Sequence, residues 1–201
     1  TLFLLPQNEE TIAMKNSKRV VLKSLKIAKH LSQETLAYTA TVYVDGKKIG
    51  YAQNQGIGGP DELDFIRNKH GGLELVDCVY SNPSDGYQAK VDAFLDACRD
   101  DGIEAAYDRE MEAFRKRNNL PKRDRDFNIE AALSVLVERT DLERTVRRRA
   151  KTNIVFWKAG DTSAFYSIKG SYTPENAKRI REFHGDDVHI WNETETLPEN
   201  Y

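Results

Sequence analysis

Two cysteines in 201 residues, Cys78 and Cys98, are too sparse for a disulfide scaffold, and no Cys-x-x-Cys pair or companion histidine spacing builds a zinc site. The expectation is a reducing cytoplasm and two thiols that simply fill core space. No apolar run approaches the roughly 18 residues that carry a helix across a bilayer, so a membrane-spanning helix is excluded. The opening Thr1-Leu2-Phe3-Leu4-Leu5-Pro6 is apolar but short, with no basic stretch before it, and does not read as a secretory signal. Met14-Lys15-Asn16-Ser17-Lys18 reads as a natural start, so residues 1–14 are expected to be an extension or leader. A Walker lysine, a GxGxxG fingerprint and any Ser/His/Asp or Cys/His spacing are missing as well, which leaves no signature of nucleotide binding or covalent catalysis. No cofactor and no metal are expected.

What is there is charge, and it is sorted by position. Hydrophobic residues make up 39% and charged residues 31%, a polar mixture that still allows a core, and the net charge is −2. Between Arg115 and Lys151 lie 12 of the 30 Lys/Arg but only 6 of the 32 Asp/Glu. A segment with an excess of six positive charges therefore sits between acidic flanks, and a polyanion or an acidic protein face is what such a segment attracts.

Three stretches of different grammar follow one another. Residues 15–85 read as β-rich: Val20-Val21-Leu22, then Leu36 to Val44, then Lys47 to Gln53, with Asp45-Gly46 forming a hairpin because both central positions of a type I′ turn need positive φ. Tyr38, Ala40, Val42 and Val44 fall on one face of that strand, and Thr39, Thr41 and Tyr43 on the other. Residues 86–151 read as helical. Tyr87, Val91, Phe94, Leu95 and Cys98 recur at helical spacing, and Ile103, Tyr107, Met111 and Phe114 repeat the pattern after Gly102, as two helices or one kinked helix. Asn118-Asn119-Leu120-Pro121 breaks the pattern, Ile129, Ala132, Leu133 and Leu136 begin a third helix, and Thr140 with Glu143 has the capping-box spacing that would start a fourth. Residues 152–201 read as β-β-α-β: Ile154 to Lys158 and Ala164 to Ile168 around Ala159-Gly160-Asp161, a helix opened by Thr173-Pro174 and closed before Gly185, and a last strand from Val188 to Trp191. The fold class expected is α+β, with an N-terminal antiparallel sheet, a helical middle that packs on that sheet or separates two lobes, and a C-terminal β-β-α-β unit.

The run Tyr38-Thr39-Ala40-Thr41-Val42-Tyr43-Val44-Asp45-Gly46-Lys47 with Asn54-Gln55-Gly56-Ile57-Gly58-Gly59, and the ending Tyr172-Thr173-Pro174-Glu175 with Val188-His189-Ile190-Trp191-Asn192-Glu193, resemble small uncharacterised proteins of phages and integrated mobile elements. The resemblance covers about a third of the chain and brings no catalytic residues with it. It implies a setting in a host bacterial cell, where accessory proteins of mobile elements bind and disable host defence machinery. The partner implied is a host protein or nucleoprotein complex.

Four constellations carry the candidate chemistry. The basic segment, Arg115, Lys116, Arg117, Lys122, Arg123, Arg125, Arg144, Arg147, Arg148, Arg149 and Lys151, is rich in the residue that grips phosphate bidentately, and such runs are as often solvated helix faces. Phe127 alone interrupts it between Phe114 and Phe156, so a duplex or protein partner fits it better than a stacked single strand. The acidic row Asp92, Asp96, Asp100, Glu104, Asp108 and Glu112 sets like charges four apart, which is locally unfavourable and asks for compensation from inside the fold, from a basic partner, or from solvent. The loop with Gly56, Gly58 and Gly59 ahead of Pro60, where a helix could begin, invites a phosphate cradle, but Asp61 and Glu62 would repel the anion; it reads as a turn or as an exposed contact loop. His184, Asp186, Asp187 and His189 could in principle hold a metal for nucleic-acid processing, whereas His184-Gly185 is also an ordinary helix C-terminus. The function expected is a non-enzymatic binder that inhibits a host defence factor; the alternative is a nucleic-acid-binding protein or a metal-dependent enzyme acting near the last histidines.

Overall fold

A computed structural model of the chain describes residues 18–66, 86–121, 127–158 and 164–198. They are α+β and fall into two compact units, one ending at Ser134 and the other beginning at Val135. Cys78, His70, the leader and the Ala159-Gly160-Asp161 turn lie outside the described residues.

In the first unit, β1 (Val20–Ile27), β2 (Tyr38–Val44), β3 (Lys47–Asn54) and β4 (Glu62–Phe65) form one antiparallel sheet in sequence order. The hairpin closes as its chemistry dictates, with φ of 48° at Asp45 and 75° at Gly46. Tyr38, Ala40 and Val42 are buried while Thr39 is exposed, so the alternation in β2 selects its core face. No helix begins at Pro60: the chain enters β4 instead, because Leu63 and Phe65 alternate with Glu62 and Asp64 and only the former pair is buried. Two helices follow, α1 (Tyr87–Asp100) and α2 (Ile103–Asn118), separated at Gly102 with φ of 71°, and Asn119 ends the second in the left-handed region. Phe94, Ala97, Cys98, Ile103 and Ala106 are their buried residues, and Phe65 meets Tyr87 edge to face at 5.7 Å. Burial pushes the Cys98 thiol up to about 12, which makes it a core filler and a poor nucleophile. The helix break also serves the sheet: the Asp101 carboxylate accepts the backbone N–H of Arg19 at 3.0 Å and of Val20 at 2.7 Å, pinning the start of β1.

The third helix, α3 (Ile129–Ala150), is continuous, and the boundary between the units falls within it. Thr140 and Glu143 do not start a fourth helix. The cap lies earlier, where Asn128 Oδ1 accepts the Ala131 N–H at 2.9 Å, and neither Gly nor Pro interrupts the next 22 residues. Beyond it, β5 (Asn153–Trp157) is the central strand of a three-stranded antiparallel sheet between β6 (Tyr166–Lys169) and β7 (His189–Ile190). Helix α4 (Pro174–His184) starts as read, Thr173 Oγ1 accepting the Asn176 N–H at 3.1 Å. The last strand is shorter than expected, because Trp191 turns into a single helical turn, α5 (Trp191–Thr194).

This second unit is three layers deep. Ile154 and Phe156 pack with Ala177, Ile180, Val188 and Ile190 on the α4 side, while Val155 and Trp157 pack with Val146, Leu142, Ala150 and Trp191 on the α3 side. Asn192 ties the layers: its side-chain oxygen accepts the Val155 N–H at 2.9 Å, and its amide donates to the carbonyls of Ala150 at 3.2 Å and Asn153 at 3.3 Å. Three backbone groups from two segments are thus bonded to one side chain.

Candidate functional site

The basic segment resolves into parts with different work to do. On α3, Leu142, Val146 and Ala150 form the apolar stripe against β5. Arg144, Arg147, Arg148 and Lys151 recur at the i, i+3, i+4, i+7 spacing roughly opposite that stripe, and all four are exposed. Arg147, Arg148 and Lys151 make no ion pair among the described residues. Arg149 is set off to the flank, with its guanidinium 5.6 Å from the Phe165 ring centre and 3.4 Å from Ser167 Oγ, so it braces the sheet. Cations in a last turn also complement the helix dipole, which is their local role. A stripe of four cations with no carboxylate among them from Arg144 to Lys151 exceeds that need.

Arg115, Lys116 and Arg117 occupy the last turn of α2, in the first unit, with Lys116 held by Glu112 at 2.8 Å. Lys122, Arg123 and Arg125 lie outside the described residues. The acidic row is compensated within its own unit, and mostly by cations outside the basic segment. Arg99 contacts Asp96 at 2.8 Å and Glu104 at 3.2 Å, Arg19 pairs with both Asp45 and Asp100, and Gln88 donates to Asp92 at 2.8 Å. Of the six, Asp108 stands exposed without such a contact among the described residues. Arg19 holds the Asp45 carboxyl below its usual range, the sign of a pair formed in the folded state.

The glycine loop is built around Asn54, the buried polar residue that sequence reasoning passed over. Its Oδ1 accepts the Gly56 N–H at 2.8 Å and the Thr35 hydroxyl at 2.8 Å, and its Nδ2 donates to Gly59 O at 3.0 Å and Asp61 Oδ1 at 2.9 Å. Gly56 is buried with φ of +84°, and its carbonyl accepts the N–H groups of Gln33 at 2.8 Å and Glu34 at 3.1 Å. A Cβ there would stand 2.6 Å from Leu31 O, so this glycine is a structural necessity, while Ile57, Gly58 and Gly59 form the exposed tip. Burial raises both Tyr38 and Asp61 above their ordinary ranges, and the Asp61 charge adds to the rise at Tyr38.

The last histidines are engaged in packing. His184 lies 5.1 Å from the Phe156 ring and 4.8 Å from Phe183, and His189 Nε2 sits 2.7 Å from Thr196 O. Asp186 and Asp187 are exposed. Among the described residues no three His, Cys, Asp or Glu side chains gather in metal-holding geometry.

Two aromatics absent from the candidate set lie on the open face of the first sheet. Lys23 Nζ stands 4.3 Å over the Tyr43 ring, and Lys48 Nζ 4.0 Å over Tyr51. The register places Tyr43 opposite Lys48 and Thr41 opposite Tyr51, so the two rings are diagonal neighbours across β2 and β3. The signal was the alternation of β2, which already set Tyr43 on the face away from the core.

Among the described residues no helix is long and apolar enough to cross a membrane. No family model, curated protein or solved structure matches the chain.

Proposed function

We propose that this chain is a non-enzymatic binding protein of a phage or mobile element that disables a host defence factor, and that it docks through the cationic stripe of α3. The observation that carries the reading is the stripe itself: Arg147, Arg148 and Lys151 are exposed, lie on one helix face with Arg144, and have no carboxylate partner among the described residues. Arginines held at helical spacing on a braced element present a fixed array to an anionic surface, and such arrays raise association rates as well as affinity. The setting comes from the two blocks that resemble proteins of mobile elements. The test is a plaque assay in a bacterial host carrying an active defence nuclease, with the chain expressed in trans. Wild type is expected to restore phage growth, and Arg147→Glu with Arg148→Glu to lose that protection while the protein remains folded by circular dichroism. No protection against a panel of defence systems, or protection that survives the double reversal, overturns the proposal.

Direct nucleic-acid binding is a second reading, favoured by Tyr43 and Tyr51 flanked by Lys23 and Lys48 on the open sheet face. Adjacent tyrosines on an exposed sheet are a stacking platform for unpaired bases, and lysines beside them neutralise phosphate. Fluorescence polarisation with a labelled oligothymidine should then show binding that weakens steeply with salt and falls about tenfold in Tyr51→Ala. Undetectable binding at low salt removes this reading.

A further inference from the structure

In the second unit an open groove of about 360 Å³ runs between α4 and β6. Its apolar wall is Ile154, Ile168, Ile180 and Phe183, and the last of these is 84% exposed, an unusual state for a phenylalanine on an amphipathic helix whose Ala177 and Ile180 are buried. Ile168 and Tyr166, on the same face of β6, are also exposed, so three large apolar side chains gather where one helix meets one strand. Lys169 and Arg179 give the polar lining its positive charge, with Asn176 and His184 beside them, and among the described residues no carboxylate lines it. Glu175 holds Arg179 at 2.8 Å and is not among the lining residues. Lys158 Nζ, 4.4 Å over the Tyr166 ring, adds a further cation at the end of β6.

The same border is a sheet edge. Strand order is β6-β5-β7, so among the described residues β6 is paired on one side only. Gly170 N–H donates to Thr152 O at 3.1 Å and Ile168 stands opposite Ile154, which fixes the alternation: residues 166, 168 and 170 exchange hydrogen bonds with β5, and the backbone groups of Ser167 and Lys169 point outward. A short edge strand with lysines beside it is one way a protein keeps its edges from pairing. Exposed Tyr166, Ile168 and Phe183 work against that purpose, since they reward an incoming strand.

We propose that this edge and groove form a peptide-binding site, in which an extended acidic segment of a partner protein adds as a fourth strand beside β6. Backbone pairing with Ser167 and Lys169 fixes the segment, alternate apolar side chains enter the groove beside Ile168 and Phe183, and its carboxylates meet the cations that border it. A second copy of the chain is the poorer occupant, because a two-fold pairing of β6 with itself would bring Lys158, Lys169 and their copies together, and among the described residues no carboxylate in the lining offsets them. The site is separate from the cationic stripe of α3 and does not depend on the anti-defence reading.

The experiment is selection of a displayed random peptide library on the immobilised full chain, followed by titration of the selected synthetic peptide. Expected are sequences that alternate apolar and acidic residues, binding about tenfold weaker in Phe183→Ser and in Ile168→Lys, and loss of binding when the peptide N–H groups on one edge are methylated. Phe183 is so exposed that its variant should fold as the wild type does, which keeps the test independent of stability. No enrichment, enrichment of basic peptides, or binding unaffected by N-methylation and by Phe183→Ser overturns the proposal. So does a dimer in sedimentation velocity that Ile168→Lys dissociates, since the edge would then belong to a second copy.

Discussion

Strands β2 and β5 are the centres of gravity of the two units, and they solve burial differently. In β2 alternate residues are buried, because its sheet has one face in the core and one face in water. In β5 four consecutive residues, Ile154-Val155-Phe156-Trp157, are all buried, because a helix covers each face. The open sheet can display Tyr43, Tyr51 and their lysines; the covered sheet has no face to display and offers only its edge and its helices. The first unit therefore presents a sheet face, and the second a sheet edge and helix faces.

The largest effect expected tests the covered strand. Trp157 is 1% exposed and belongs to the cluster on the α3 side, so Trp157→Ala should cost about 4 kcal/mol and unfold the second unit under mild denaturant. Both tryptophans, Trp157 and Trp191, lie in that unit, so selectively excited tryptophan fluorescence reports it alone, and Trp191 remains as the reporter in the variant. A loss under 1 kcal/mol would mean that the two-sided packing of β5 is not what holds the unit together.

A smaller effect tests the first unit, whose stability rests partly on polar geometry. Gly56→Ala forces a Cβ to within 2.6 Å of Leu31 O at a φ of +84° and disturbs the Asn54 hydrogen bonds, with an expected cost of about 2–3 kcal/mol. Gly46→Val should cost about 1–2 kcal/mol, since its φ is +75° but no atom stands within 4 Å of the added Cβ. Gly59→Ala should cost almost nothing. Denaturation followed by far-ultraviolet circular dichroism should rank the three in that order, and equal losses at Gly56 and Gly59 would return the loop to the status of a plain turn.

The difference between the sheets also explains what was legible in the chain. Asp45-Gly46, Thr173-Pro174, Gly102 and Asn119 act through local backbone chemistry, and each does in the structure what its residue type requires. The second sheet was harder, because a buried four-residue run looks alike in a strand or a helix and the covering by α3 depends on contacts far apart in sequence. Asn54 and Asn192 gave no periodic signal at all: an asparagine that satisfies backbone groups of distant segments resembles any loop asparagine until those segments meet. The cations of α3 were visible as a run, but the separation of Arg149 from Arg147 and Arg148 needed Phe165 and Ser167 to be placed beside it.

The smallest effect separates the units by acid. In the second unit the Arg181 hydrogen bond holds the Glu193 carboxyl below its ordinary 4.5, with Tyr172 donating to the same carboxylate at 3.1 Å. A carboxyl lowered on folding stabilises fully above its unfolded value, and that contribution is lost as pH falls through the folded one. In the first unit Asp61 is raised by burial, so protonation favours the folded state and its contribution runs the other way. Glu193→Gln should therefore flatten the acid side of the tryptophan-detected stability profile of the second unit, and change stability at neutral pH by less than about 1 kcal/mol, because both side chains keep part of their surface in water and solvent screens the pair. Asp61→Asn should leave that profile untouched and remove the opposing slope from the first unit, followed by circular dichroism. Identical pH profiles for wild type and Glu193→Gln would show that the Arg181 pair is formed without contributing to the fold, as many surface pairs are.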